Sequence, residues 1–245
     1  MGPLIPPNWP QPASVQACAT TRHGGVSLPP YESLNLGGHV GDAVEAVASN
    51  RQRLMTMAEL PGSVHWLEQV HGTNVARLTG DTSFNDVQTA DAAYTNESGV
   101  VCAVMTADCL PVLFCSRAGD EVAAAHAGWR GLNAGVLENT VAAFHAQPQD
   151  IIAWMGPAIG AKKFEVGPEV RDAFITSLPE SAVAFSVFGE KYLADIFMLA
   201  RLRLQACGLI NIYGGEFCTV TDSDNFFSYR RDGTTGRLAS LIWLR

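Results

Sequence analysis

The side chains with the most chemical capacity in this 245-residue chain are one thiol and two imidazoles: Cys109, His126 and His71. Each stands where an apolar run gives way to a turn. His71 precedes Gly72, Cys109 sits between Asp108 and Leu110-Pro111, and His126 precedes Ala127-Gly128. A thiolate with two neutral imidazoles is a borderline-soft, three-ligand set. Zn²⁺ takes such a set in catalytic sites and leaves a fourth position for water or substrate. No short ligand motif ties the three together, so a reading without metal stands beside it. In that reading Cys109 is a nucleophile, His126 its base, and Asp108 or His71 orients the base. The two readings share their residues, and a metal measurement separates them.

Anion contacts are the next chemistry on offer. Arg130 follows Gly128-Trp129 at the start of an Ala/Leu/Val/Glu run, where the N–H groups of a helix N-terminus and a guanidinium would suit phosphate or a carboxylate. Arg22, His23, Asn35, His39 and Asp42 belong to a long, glycine-rich polar loop, and long loops inside compact domains are more often functional than idle. Arg230, Arg231 and Arg237 offer a further anion contact near residue 245. For each of these the bland alternative is a surface or turn residue tied to a neighbour. His65, beside Trp66, reads as a strand residue, and His145 as a surface residue near a helix end.

These groups need rigid elements to carry them. Residues 100–135 hold apolar Val- and Ala-rich runs broken by Ala-Asp, Leu-Pro and Ala-Gly-Asp, which read as buried strands joined by turns. A helix is expected over about 130–146, then a strand at 151–156. Upstream, residues 1–13 read as an extended Pro-rich lead-in and 14–22 as a strand. Residues 42–60 read as a helix with Asp42 as its cap, and 64–78 as two short strands about a turn over 69–72. A polar connection over 79–99 includes Asp91 and a short strand at 92–94. Downstream, helices are expected over 167–177 and 193–207, a strand over 210–220, and a terminal hairpin over 226–244. Elements of both kinds mix throughout with no repeat or linker, so the expectation is a single α+β domain over residues 1–245 with mixed sheets.

Composition narrows the function. Nearly half the chain (47%) is apolar, 16% is charged and the net charge is −8, so a large core is expected and a nucleic-acid surface is not. No apolar run reaches a membrane-spanning length, and the first residues lack the basic and apolar regions of a secretory signal. Cys18, Cys102, Cys109, Cys115, Cys207 and Cys218 show no C-x-x-C spacing, which fits reduced thiols and a cytoplasmic location. Cys102 and Cys115 lie inside apolar runs and behave there as small hydrophobes.

The motifs HGTNV around His71, TADCLPVLF around Cys109 and AHAGWRGL around His126 resemble the bacterial YfiH family. That family is also called the laccase-domain or polyphenol oxidase family, and its members have also been named purine nucleoside phosphorylases and peptidoglycan editing factors. The resemblance extends from TTRHGGVS and SLNLG through GPAIG and FEVG to FFSYRRDGTTGR. It implies a layered α-β-β-α fold and zinc held at the positions that match His71, Cys109 and His126.

The family's names disagree about the reaction. A four-copper assembly needs many histidines, typically in H-x-H pairs, whereas this chain has six histidines and no such pair. A single zinc site fits phosphorolysis or hydrolysis instead. The resemblance therefore implies a zinc-dependent purine nucleoside enzyme, with copper as the other candidate metal. It would cleave adenosine, inosine, guanosine and methylthioadenosine with phosphate and deaminate adenosine to inosine. Zinc lowers the pKa of a bound water to about 7, which suits attack at C6 of adenine. The H-x-E signature of zinc deaminases is absent, so Asp108 would move the proton, while phosphate near Arg130 would attack the ribose C1′. The expected partners are the nucleoside and phosphate, with the chain a monomer or homodimer. Other classes remain: a Cys-His hydrolase acting on a cell-wall amide, a copper polyphenol oxidase, and a metal-stabilised module without catalysis.

Overall fold

The stretch over residues 100–135 supplies three strands to two different sheets, and the cleft between these sheets' ends is where the chemistry gathers. The computed structural model describes residues 1–84 and 86–245. With strands numbered along the chain, the first sheet runs β1 (Leu4–Ile5), β2 (Val15–Thr20), β14 (Leu238–Leu244), β6 (Val101–Thr106), β3 (Val64–His65). The second has six strands in the order β13 (Asn211–Gly214), β9 (Ile151–Met155), β7 (Leu110–Ser116), β8 (Val122–Ala127), β5 (Ala92–Thr95), β4 (Val75–Arg77). Parallel pairs β13/β9, β4/β5 and β3/β6 sit among antiparallel ones, so both sheets are mixed. A small third sheet joins β10 (Glu165–Val166), β12 (Lys191–Ala194) and β11 (Phe185–Phe188).

Period-two alternation assigns each strand face to its own core. In β7, Leu113 and Cys115 turn toward the first sheet, meeting Val104, Ile242 and Trp154 in the layer between the sheets. Val112 and Phe114 turn the other way, onto Leu137 of α3 (Val136–Ala142), Phe174 of α4 (Pro168–Ser177) and Leu199 of α5 (Ile196–Ala206). A strand buried on both faces reads as a continuous apolar run, which is how β7 looks in the sequence. The outer face of the first sheet, with Val101, Ala103 and Leu241, is covered by Leu54 of α1 (Val44–Met57) and by Leu34 and Leu36. The layers are therefore helix, sheet, sheet, helices, as the resemblance implied. No helix among the described residues is long and apolar enough to cross a membrane.

Several local expectations give way to competing contacts. The helix expected over 130–146 breaks into α2 (Trp129–Ala134) and α3 at Gly135, whose φ of 106° a helix cannot contain. The terminal hairpin does not form. Ser228 accepts a hydrogen bond from the N–H of Arg231 and starts a one-turn helix, α6 (Tyr229–Asp232), after which β14 runs between β2 and β6 rather than folding back on its neighbour. The helix expected from 193 begins at Ile196, because Lys191–Ala194 pairs as β12 and Asp195 caps at Met198. Asp42 does not cap α1. The N-cap is Ala43, and the Asp42 carboxylate instead accepts from Ser27 and Asn35. The Pro-rich lead-in contributes β1, which pairs with β2. Residue 85, in the polar connection, lies outside the described residues.

Candidate functional site

Strand register delivers two of the three ligand candidates together. In the antiparallel β7/β8 pair, Leu110 stands opposite Ala127 and Pro111 opposite His126, so Cys109 and His126 emerge at one end of the sheet. His71 arrives from the loop between β3 and β4. Its φ of 59° and the φ of 88° at Asp108 place two non-glycine residues in the left-handed region, a conformation kept only where surrounding contacts enforce it. Gln69 supplies one such contact: its side-chain amide donates to the carbonyl of Met105 at 2.8 Å and accepts from its N–H at 2.7 Å, pinning the His71 loop to the end of β6.

The three donors converge. Cys109 Sγ lies 3.7 Å from His71 Nε2, the imidazole rings meet edge-to-face at 4.7 Å, and all three donor atoms fall within 4.8 Å of one another. Gly128 makes room for them. A Cβ there would sit 2.6 Å from His71 Cδ2 and 3.0 Å from Cys109 Sγ.

Asp91 organises both histidine arms. It is fully buried immediately before β5, and its Oδ1 is 2.8 Å from His126 Nδ1. The same carboxylate accepts from the backbone N–H groups of His71 (2.9 Å), Gly72 (2.6 Å) and Val70 (3.2 Å). Burial alone would raise its pKa, but the hydrogen bonds from His126 and the backbone hold it below the usual carboxylate range. An ionised Asp91 fixes Nδ1 of His126 as the donor and leaves Nε2 to ligate, the carboxylate–histidine pairing common behind metal sites.

The electrostatics suit a metal. Burial would push the Cys109 thiol up, yet His126 and His71 pull it down to about 6. Burial would lower His126, yet Cys109 and Asp91 raise it to about 9. A thiolate is the form that ligates, and a bound ion would take the place of the proton on His126 Nε2. Zn–S and Zn–N bonds of roughly 2.3 and 2.1 Å put tetrahedral ligands about 3.5 Å apart, so the 3.7 Å sulfur–nitrogen separation fits a shared ion.

The cluster is part of the lining of a cavity of about 970 Å³. Trp66, Leu67, Val70 and Met105 give it apolar walls, while His39, Arg51 and Arg237 line it with nitrogen-bearing side chains. Arg51, from α1, donates through Nε and Nη2 to the Leu36 carbonyl and stacks over the Trp66 ring at 4.4 Å. Arg237 donates through Nη1 to the carbonyls of Thr235 and Gly236. Burial lowers its pKa, partly offset by Cys109 and Asp108.

The other expected site residues stand elsewhere. Asp108 accepts from the Thr219 hydroxyl and the Arg230 N–H, both at 2.6 Å, and so latches α6 to the start of β7. Arg130 is exposed and lies over its neighbour Trp129. Arg22 donates to the carbonyls of Glu32 and Ser223, and Arg230 to those of Lys163 and Glu165. Asn35 is fully buried and knots the loop, accepting from Gly37 and Arg237 and donating to Asp42. None of Asp108, Arg130, Arg22, Arg230 and Asn35 lines the cavity. The sequence reading passed over Asp91 and Arg51. Asp91 carried one usable signal: an ionisable side chain directly before a wholly buried strand requires partners.

The family model described as multi-copper polyphenol oxidoreductase laccase matches residues 16–245. The chain belongs to that family. Among relatives in it, the chain is 60% identical over 244 residues, covering 100% of both chains, to a protein of Escherichia coli (strain K12) named purine nucleoside phosphorylase YfiH. It is 52% identical over 247 residues, again covering 100% of both, to a Pseudomonas aeruginosa protein also named a purine nucleoside phosphorylase. A crystal structure of a Neisseria meningitidis protein superposes with a TM-score of 0.95 at 53% identity, covering 99% of each chain. That of YlmD from Geobacillus stearothermophilus gives 0.92 at 36% identity, covering 100% of this chain and 97% of the other. The family's name speaks of several coppers. Among the described residues His71, Cys109 and His126 are the one cluster with the donors for an ion.

Proposed function

We propose that the chain is a metal-dependent purine nucleoside phosphorylase whose ion, zinc in our reading, is held by His71, Cys109 and His126. The observation that carries this is the His-Cys-His cluster in the wall of a cavity large enough for a nucleoside and a small anion. The names of the relatives support the phosphorylase part of this reading. The expected substrates are adenosine, inosine, guanosine and methylthioadenosine. Copper is the other ion that a two-nitrogen, one-sulfur set accepts.

In phosphorolysis a phosphate oxygen bonds to the ribose C1′ while the C1′–N9 bond breaks. Its electron pair leaves with the purine, which takes up a proton. When bound, the ion supplies a Lewis acid beside the reacting groups. The chain's own residues do the positioning. Asp91 sets the tautomer of His126 and the backbone of His71, and Gln69 locks that loop to β6. Trp66, Leu67 and Met105 offer the base an apolar wall and exclude water. Deamination of adenosine adds water at C6 and releases ammonia in the same cavity. Asp108, committed to Thr219 and Arg230, is a positioning residue in this account rather than the proton carrier.

The test is zinc analysis combined with product analysis of adenosine plus phosphate. We expect stoichiometric zinc and release of adenine with ribose 1-phosphate, lost in His71→Ala, Cys109→Ala and His126→Ala. Adenosine left unchanged by the metal-replete protein would sink the proposal. A second reading is favoured by one observation, the Cys109–His126–Asp91 relay with its lowered thiol and raised imidazole: a thiol hydrolase acting on an amide. It requires activity that survives chelation and disappears in Cys109→Ser.

A further inference from the structure

Two half-buried guanidiniums line the cavity, and among the described residues neither has a carboxylate partner: Glu68, in the same lining, accepts from Thr89. Arg51 and Arg237 make no ion pair among the described residues; the side-chain hydrogen bonds of each end on backbone carbonyls, and their guanidiniums also lie over Trp66 and Tyr229. Among the described residues those hydrogen bonds leave Nη1 of Arg51, and Nε and Nη2 of Arg237, without an acceptor. Removing a guanidinium from bulk water without a counter-charge is costly, and a bound anion would offset that cost.

Both side chains approach one glycine turn. A Cβ on Gly37 would lie 2.7 Å from Cγ of Arg237, and one on Gly38 would lie 3.9 Å from Nη2 of Arg51. The Gly37-Gly38 turn thus meets both arginines, and Gly38 and His39 join them in the cavity lining. Burial, then the charges of Arg237 and Arg51, lower the pKa of His39, in keeping with a cationic wall. A nucleoside is uncharged and leaves the charge of this wall unmatched. Of the residues that the sequence offered as anion contacts, Arg237 lines the cavity, whereas Arg130, Arg22 and Arg230 lie outside the lining and have other neighbours.

We propose that Arg51 and Arg237, with His39 beside them, form the subsite for inorganic phosphate, the second substrate. The choice of phosphate rests on the phosphorolysis reading; the cationic wall does not. Planar guanidiniums with free N–H groups match phosphate oxygens and hold them at fixed angles. Both guanidiniums share the cavity lining with His71, Cys109 and His126, so an anion held there lies in the same cavity as the metal cluster.

Calorimetric titration of inorganic phosphate into the zinc-loaded protein, at constant ionic strength, tests the assignment without turnover. Arg51→Met and Arg237→Met should each weaken phosphate binding about ten- to a hundredfold, the range for losing a charge-assisted hydrogen bond, while Arg130→Met leaves it unchanged. Both arginines also brace loops, so His39→Glu is the companion variant. It places a carboxylate at an exposed position beside them and should suppress phosphate binding without a fall in melting temperature. Retained binding in Arg51→Met, Arg237→Met and His39→Glu overturns the subsite, as does loss of binding in Arg130→Met alone. Adenosine 5′-monophosphate bound where inorganic phosphate is not would overturn the choice of phosphate. Adenosine cleavage with an unaltered phosphate KM in the arginine variants would sink the subsite and leave the phosphorolysis reading standing. Phosphate binding at these arginines without cleavage would do the reverse.

Discussion

Asp91 grips His126 by its ring and Val70, His71 and Gly72 by their backbone, so one substitution there loosens two ligand arms. Asp91→Asn should lower zinc affinity about 10- to 100-fold, the usual cost of losing a partner behind a metal ligand, as read by competition with a chromogenic chelator. Affinity within a factor of about two of wild type would contradict the role given to Asp91. Gly128→Ala makes a different prediction. Its Cβ would press on His71 and Cys109, so metal content should fall even where the melting temperature holds. The candidate ligands were visible one by one, each beside a turn residue, and the family resemblance singled them out as a metal set. Asp91 was not, since one Asp in a polar connection resembles any turn residue. Arg51 was hidden for a related reason: an arginine inside α1 reads as part of a solvated helix face, and nothing in local spacing says that the face borders a cavity.

The elements were legible where burial on both faces writes a continuous apolar run, as in β6, β7, β8 and β9. They were misread where a capping contact or a distant partner decides. The glycine-rich segment before β14 carries hairpin signals, yet Ser228 captures the first turn and β14 finds β2 and β6 instead. β11 escaped notice because three of its four residues are exposed and show no alternation. The break between α2 and α3 gives a prediction at this scale. Gly135 holds φ at 106°, so Gly135→Ala should destabilise by about 1–2 kcal/mol in denaturant unfolding, against the small gain that Ala brings inside a continuous helix. A stabilised variant would mean that α2 and α3 can merge.

The layered fold as a whole depends on the slab between its sheets, where Trp154 is 1% exposed and donates to Asn8. Trp154→Ala should cost about 3–5 kcal/mol in unfolding free energy, enough to threaten a marginally stable domain. Acid stability has a separate source. Burial alone would raise the Glu121 carboxyl, but Tyr94, the N–H groups of His145 and Ala146, and the His145 ring hold it below its ordinary value. A depressed carboxyl contributes stability that is present above its unfolded pKa and fades as the pH falls through the folded one. Glu121→Gln should therefore lower the melting temperature at pH 7 and narrow its difference from wild type in acid. An equal deficit at every pH would assign the effect to packing. The layer order, by contrast, was visible only through the family resemblance, because which sheet a strand joins is decided by partners far away in sequence. β14 shows the consequence in time. Its bond from Ala239 to Thr20 spans 219 positions, so loop closure across nearly the whole polypeptide must precede completion of the first sheet. Arg237 stands one residue before that strand. Folding should be slow for a chain of this size, and the anion-facing wall should be among the last parts of the molecule to take shape.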